Sequence, residues 1–360
     1  MQNKGIILEN YRQIKEIFEQ NNVKKPFVCC GKSFQQTEIF EYLKQFDIVV
    51  FDNIRPNPRF EDMVDAAEVF NAEGCDFIIG AGGGSPIDSA KMIRLMTTND
   101  VSKCLSEPME NNDIKSLYIP TTAGTGAEAT KSSVFYINEV DKISVANLDF
   151  LPDYVILDSS LLSTLPLYQR KCTSLDALCH SIESYWSVKA NDESREYAKK
   201  GILGFVANKD GYINNTPDGN EGMLWASYYA GKAINITGTT SAHAMCYCIT
   251  MNCGTSHGHS VASGLSVIWE YMLNNRGKEA YAGAYDRFDE IGVLLGGKDA
   301  REGLEIFNGI LKDFELPYPK TDEKNIPIFT SKVDVTRLGN NPVKFTSEDV
   351  SNIYKEVFSR

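Results

Sequence analysis

The sequence predicts an α/β domain built on a parallel sheet, residues 1–160, followed by a helical domain, residues 161–360. Three observations carry this expectation. Short apolar runs alternate with amphipathic segments through the first 160 residues, the pattern of strand–helix crossovers. Beyond residue 160, β-branched runs give way to long segments with apolar residues three and four apart. A length of 360 residues also exceeds what one hydrophobic core commonly serves.

Taken in order, Ile7, Leu8, Tyr11, Ile14, Ile17 and Phe18 place an amphipathic helix at the start, with no strand before it. Residues 27–30 are an apolar run of strand length, 34–46 a helix, and 48–51 a β-branched strand ending at Asp52. Phe60, Met63, Val64, Ala67 and Val69 give 59–72 the apolar side of a helix. Residues 77–79 form a third strand before a glycine turn, with further strands at 117–119, 133–137 and 154–157. Helical spacing then recurs at 174–187, 193–205, 222–235, 243–250, 259–273, 280–291 and 301–314. A cleft between the two domains is the expected ligand site.

Composition excludes several classes. The net charge of −12 argues against a nucleic-acid or anionic-membrane binder. No apolar run approaches the roughly 20 residues of a membrane helix. Glu9 and Arg12 interrupt the apolar start, so no secretory signal is expected. Nine cysteines without a C-x-x-C pair read as buried thiols of a cytoplasmic protein, not as a disulfide framework or zinc site.

Two loops in the first half suit a dinucleotide. In FIIGAGGGSPIDSAK, from Phe77 to Lys91, Gly82, Gly83 and Gly84 clear side chains from a strand-to-helix turn. Ser85 is placed to cap the helix, Pro86 suits its first position, and Asp88 stands at an approximate capping-box position. Free N–H groups at a helix start attract a diphosphate. A tight turn with no ligand has the same glycines. The second loop, PTTAGTGAEAT from Pro120 to Thr130, offers four threonine hydroxyls to a ligand such as a nicotinamide ribose. A surface loop of hydroxyl-capped turns is the competing reading.

Three of the four histidines, His243, His257 and His259, fall within 17 residues. The fourth, His180, follows Asp176 by four residues, so both share one helix face. Asp176, His180, His243 and His257 make one carboxylate and three imidazoles, a sensible donor set for a divalent metal such as Fe2+ or Zn2+. Such a site polarises a carbonyl oxygen. Any one of these histidines alone reads equally as an ordinary buried or surface side chain.

With these blocks in place, the chain resembles the iron-containing (group III) alcohol dehydrogenases over nearly its whole length. The matching segments are GGGSPIDSAK (82–91), PTTAGTGAEAT (120–130), DALCHSIESY (176–185) and the pair formed by His243 and His257-Gly258. The resemblance implies a dinucleotide-binding domain, a helical metal-binding domain, a homodimer, and reversible reduction of an aldehyde or ketone with a nicotinamide. It makes Asp176, His180, His243 and His257 the metal ligands, with Fe2+ favoured over Zn2+. Cofactor contacts fall on Gly82, Gly83, Gly84, Ser85, Asp88, Thr121, Thr122, Thr125, Thr130, Asn57 and Lys142.

Departures from the family pattern shape the finer expectations. Tyr247 stands where many members carry a proton-relaying histidine, so His259, Tyr247 or water is expected to deliver the proton. Gly31, Lys32 and Ser33 stand where NAD-preferring members carry an acidic residue, which favours NADPH over NADH. The segments 175–188 and 255–262 look most like the phosphonoacetaldehyde reductase branch. That substrate needs a cationic partner, for which Lys131, Lys189 and Arg195 are the candidates. The competing readings are a reductase of another small aldehyde, a dehydroquinate synthase-like lyase using its nicotinamide transiently, and a non-catalytic nucleotide sensor.

Overall fold

The computed structural model describes residues 5–138 and 141–360. It divides between Thr164 and Leu165 into two units.

The first unit holds β1 (Ile6–Leu8), α1 (Ile14–Gln20), β2 (Pro26–Cys30), α2 (Glu38–Leu43), β3 (Val49–Phe51), α3 (Phe60–Ala72), β4 (Phe77–Gly82), α4 (Gly84–Met96), β5 (Lys115–Pro120), β6 (Ser132–Ile137), β7 (Asp141–Ala146) and β8 (Tyr154–Ile156). Six strands form one sheet in the order β1-β8-β5-β4-β2-β3, every pairing parallel. Both faces are covered, which is why β2 and β4 read as unbroken apolar runs rather than alternating ones. Alternate residues still serve different cores. Phe27 and Cys29 pack with Met63 and Phe70 of α3 and Ile87 and Met92 of α4. Val28 and Cys30 pack with Ile14 and Phe18 of α1 and Phe40 and Leu43 of α2.

Several expectations need correction. Ile7 and Leu8 belong to a strand, not a helix: β1 pairs with β8, and Asn10 restarts the chain by accepting a hydrogen bond from the Arg12 N–H. The expected helix at 34–46 shrinks to α2, because Thr37 is extended and its Oγ1 caps a new start at Glu38 by accepting from the Phe40 N–H. The strand at 133–137 leaves the parallel sheet. It forms β6 of a separate antiparallel hairpin with β7, a strand without a strong apolar pattern.

The second unit is helical throughout: α5 (Leu167–Trp186), α6 (Asp192–Ile213), α7 (Pro217–Thr237), α8 (Ser241–Cys253), α9 (His257–Asn274), α10 (Ala284–Leu294), α11 (Ala300–Asp313), α12 (Ile326–Ser331), α13 (Val335–Leu338) and α14 (Ser347–Ser359). Helix α5 is the buried centre, covered from Ser174 through Trp186. Trp186 packs edge-on against Trp269 of α9 and Phe288 of α10. Helix α14 lies beyond the expected helices, with Val350, Ile353, Tyr354, Val357 and Phe358 buried at helical spacing. Among the described residues no helix is long and apolar enough to cross a membrane.

Candidate active site

In the first unit, the predicted cofactor segments line up along one edge of the sheet. Strands β5, β4, β2 and β3 are consecutive neighbours and run parallel. The threonine loop leaves β5, the glycine turn ends β4, Gly31–Ser33 follow β2, and Asn57 lies beyond β3. Open parallel sheets bind ligands at this carboxyl edge.

Turn and loop are packed on each other. A Cβ on Gly84 would stand 3.2 Å from Thr125 Cγ2, and one on Gly83 would stand 3.5 Å from Thr122. The Thr121 N–H donates to the Gly82 carbonyl at 2.8 Å. Gly82 has φ +152°, and a Cβ there would lie 2.6 Å from Pro86. The N-cap of α4 is Gly83 rather than the expected Ser85, which sits inside the first turn. No side chain caps α4 and no carboxylate lies in its first turn, so its N–H groups suit an anion.

Two of the predicted cofactor contacts also tie the scaffold together. Asp88 accepts from Lys91 Nζ at 3.0 Å and from the Val134 N–H at 3.0 Å, which pins the β6–β7 hairpin to α4. Thr130 is buried, and its Oγ1 accepts from Lys91 Nζ at 3.0 Å. Lys91 itself is fully buried and also donates to the Ser132 carbonyl at 2.6 Å. Beside them, burial raises the Glu128 carboxyl to about 7, and its Oε1 has no hydrogen-bond partner. Lys142 lies on β7, and its charge acts on Asp88. Asn57 is exposed with a left-handed φ of +62°. Lys32 and Ser33 are exposed, and nothing lies within 4 Å of a Cβ built on Gly31.

In the second unit, Asp176 and His180 come from α5, His243 from the first turn of α8, and His257 from the first residue of α9. The Nε2 atoms of His243 and His257 stand 3.4 and 3.7 Å from Asp176 Oδ1. One donor atom from each of these three residues lies within 4.8 Å of the other two. The His180 ring stacks on His243 with centroids 4.4 Å apart. Asp176 Oδ1 and His243 Nε2 are both buried without a hydrogen-bond partner. Buried polar atoms rarely stay unpaired, and two facing orphans of this chemistry fit a divalent cation. His257 is 41% exposed, which leaves the group one open side.

The charges reinforce one another. Burial pushes the Asp176 carboxyl up, but His180, His257 and His243 outweigh it and hold the group well below the usual carboxylate range. Burial pulls the His243 imidazole down, and Glu183 with Asp176 overrides this to raise it to about 9.

Glu183, absent from the sequence-predicted set, is fully buried and bonds His243 Nδ1 through its Oε2. A signal existed: Asp176, His180 and Glu183 stand at positions i, i+4 and i+7 of one helix face. The structure does not bring His259 into the group as an available base. Its Nε2 bonds the Pro317 carbonyl at 2.8 Å and its Nδ1 the Tyr168 hydroxyl at 3.2 Å. Tyr247 is half-buried on α8, one turn after His243. Lys189 is exposed beyond the end of α5, and that helix travels about 9 Å between His180 and its last residue, Trp186. Arg195 pairs with Asp192 at the start of α6. Lys131 opens the hairpin of the first unit, its carbonyl accepting from the Asn147 N–H at 2.9 Å.

Residues 6–159 match the model of iron-containing alcohol dehydrogenase, and residues 171–358 that of the Fe-containing alcohol dehydrogenase family, C-terminal. The chain belongs to the iron-containing alcohol dehydrogenase family and is an oxidoreductase. It is 28% identical to 1,3-propanediol dehydrogenase of Citrobacter freundii, covering 87% of this chain and 84% of that one. It is 26% identical to phosphonoacetaldehyde reductase of Streptomyces viridochromogenes, over 84% and 82% of the two chains. Among solved structures, an iron-containing alcohol dehydrogenase from Thermotoga maritima superposes with a TM-score of 0.87 at 26% identity, over 99% and 98%. Sulfoacetaldehyde reductase from Bifidobacterium kashiwanohense, in complex with NAD+, shares the fold with a TM-score of 0.90 at 23% identity, over 100% and 98%.

Proposed function

We propose that the protein reduces a small aldehyde to a primary alcohol, with NADPH as hydride donor and a divalent metal held by Asp176, His180, His243 and His257. Fe2+ is the metal of this reading and Zn2+ its competitor. The observation that carries it is the facing pair of orphaned buried atoms, Asp176 Oδ1 and His243 Nε2.

When bound, the metal supplies a Lewis acid for the carbonyl oxygen, and the nicotinamide supplies the hydride. The protein's own groups do the rest. The uncapped start of α4, with Gly83 and Gly84, receives the diphosphate. Thr121, Thr122 and Thr125 offer hydroxyls beside it. Because only one ligand of the set, Asp176, is a carboxylate, a bound divalent ion would keep part of its charge for the developing alkoxide. Tyr247, on the same face of α8 as His243, hands a proton from its Oη to the product oxygen, because both nitrogens of His259 are engaged. Loss of metal content and turnover in Asp176→Asn and His257→Ala tests the reading. Full retention of both in pure protein refutes it.

The finer assignment is phosphonoacetaldehyde, reduced to 2-hydroxyethylphosphonate. It is supported by the two motif segments and a relative of that activity at 26% identity. Relatives acting on other aldehydes match as closely, among them lactaldehyde reductase of Escherichia coli at 27%. The assay compares phosphonoacetaldehyde with two- to four-carbon aldehydes lacking the phosphonate. Comparable kcat/KM values defeat the assignment. Equal kcat/KM with NADH and NADPH removes the cofactor preference. The same reading makes the protein a homodimer, which light scattering of the purified enzyme checks.

A further inference from the structure

We propose that Glu183 is a positioning residue that sets the tautomer and aim of His243, and with them the affinity of the metal site. The inference rests on the metal-binding reading above. Glu183 lies on α5, three residues after His180, with no solvent exposure. Its two oxygens divide the work. Oε1 accepts from the Thr240 hydroxyl at 2.7 Å and from the N–H groups of Ala242 at 2.8 Å, Thr240 at 3.2 Å and His243 at 3.4 Å. These belong to the N-cap and first turn of α8, and the N-cap residue, Thr240, makes no side-chain cap of its own. A carboxylate from another helix therefore does the capping. Oε2 bonds His243 Nδ1.

The consequence for the imidazole is specific. A metal can bind His243 only once the ring has given up its Nε2 proton, and in that neutral imidazole the acceptor at Nδ1 keeps the one remaining ring proton there. The Nε2 lone pair is then free, and it belongs to the atom that faces Asp176 Oδ1 at 3.4 Å without a hydrogen-bond partner. The same carboxylate fixes the start of the helix that carries the ring, so backbone and ring are aimed by one group. Trp186 braces the arrangement, its indole N–H donating to Thr240 Oγ1 at 3.0 Å. Helix α5 thus supplies two donors and the orienting group for a third.

The test uses the full chain, freed of metal and titrated with Zn2+ against a chromophoric chelator. Glu183→Gln keeps the side-chain volume but offers an N–H2 to His243, which favours the wrong tautomer. The expected result is metal binding weaker by about 10–100-fold. Because the chain has four histidines, 15N correlation spectra of the Zn2+-loaded protein resolve each ring. Wild type is expected to show one ring with a retained Nδ1 proton bound to a carboxylate, and that signal is lost in the variant. A folded Glu183→Gln protein that binds Zn2+ within twofold of wild type overturns the inference, even if its Tm falls, since a capping role alone predicts that pattern. If Glu183→Gln does not fold, Glu183→Asp replaces it. The shorter carboxylate withdraws from Nδ1, and unchanged affinity and ring signals there also overturn the proposal. Failure of the metal reading looks different: wild type itself takes up no Zn2+, or Asp176→Asn binds it as well as wild type does.

Discussion

Gly258 follows His257 directly, and its lack of a side chain lets α9 approach α5. A Cβ at this position would lie 2.0 Å from the Cys172 carbonyl oxygen and 3.0 Å from Asp176 Cβ. In Gly258→Ala the first turn of α9 has to retreat by about 1 Å before that contact reaches even 3.0 Å. Overpacking of this kind costs about 2 kcal/mol, which lowers the Tm of a unit this size by about 4–8 °C. The larger effect falls on the site. His257 Nε2 stands 3.7 Å from Asp176 Oδ1, and metal–ligand distances tolerate about 0.2 Å. A shift several times that size is expected to weaken metal binding at least ~10-fold and to reduce kcat/KM about 100-fold. Gly264→Ala is the internal control. It lies on the same helix, nothing stands within 4 Å of its added Cβ, and the better helix former should gain about 0.5–1 kcal/mol. Thermal unfolding and chelator competition read both variants. Wild-type Tm and metal affinity in Gly258→Ala refute the close-approach argument.

Other measurements probe separate parts of the structure. Glu128 titrates at about 7 in the folded chain against 4.5 for the free side chain. A raised carboxyl contributes stability below the unfolded value that is lost as pH climbs to the folded one, here about 3 kcal/mol between pH 4.5 and 7. Relative to Glu128→Gln, wild type should therefore lose Tm from pH 5 to pH 8, and parallel curves contradict this. Lys91→Met strips the partner from Asp88 and should cost about 3–5 kcal/mol, with Asp88→Asn added to it restoring part of the loss in a double-mutant cycle. Gly31→Asp has open space for its carboxylate and should move the kcat/KM preference towards NADH by at least tenfold. No change there removes the turn after β2 from the adenosine site. Tyr247→Phe should lower kcat more than KM, and a wild-type kcat rules out its hydroxyl as proton donor.

Much of this architecture was legible because its signals are local. The strands at Pro26–Cys30 and Phe77–Gly82 are apolar throughout, and the long helices repeat at three and four residues. Failures came where short elements depend on distant partners. Ile6–Leu8 is a strand only because Tyr154–Ile156 lies beside it. Asp141–Ala146 pairs across a hairpin without needing a strong apolar face. In the candidate site, the scarcity of histidine pointed to His243 and His257 and the helical spacing to Asp176, three residues whose donor atoms do come together, while His180 from the same spacing stacks on His243. Residues whose role depends on a contact made elsewhere were not. Asp88 and Thr130 were read as ligand contacts, and their bonds to the buried Lys91 could not be read from their spacing. His259 looks like a base until Pro317 and Tyr168 occupy its ring. Glu183 looks like one more helical glutamate until its 60-residue reach to His243 is seen.

The carboxyl edge of the sheet has a practical corollary. Each proposed cofactor segment hangs from its own strand, neighbours sit about 4.8 Å apart, and the order β5-β4-β2-β3 is fixed by the backbone ladder. The segments are modular. On the proposed reading, the glycine turn would grip through main-chain atoms that substitution cannot delete, while the exit of β2 would act through side chains. If that reading holds under the Gly31→Asp test, substitution at residues 31–33 would retune the far end of a dinucleotide and leave its middle untouched.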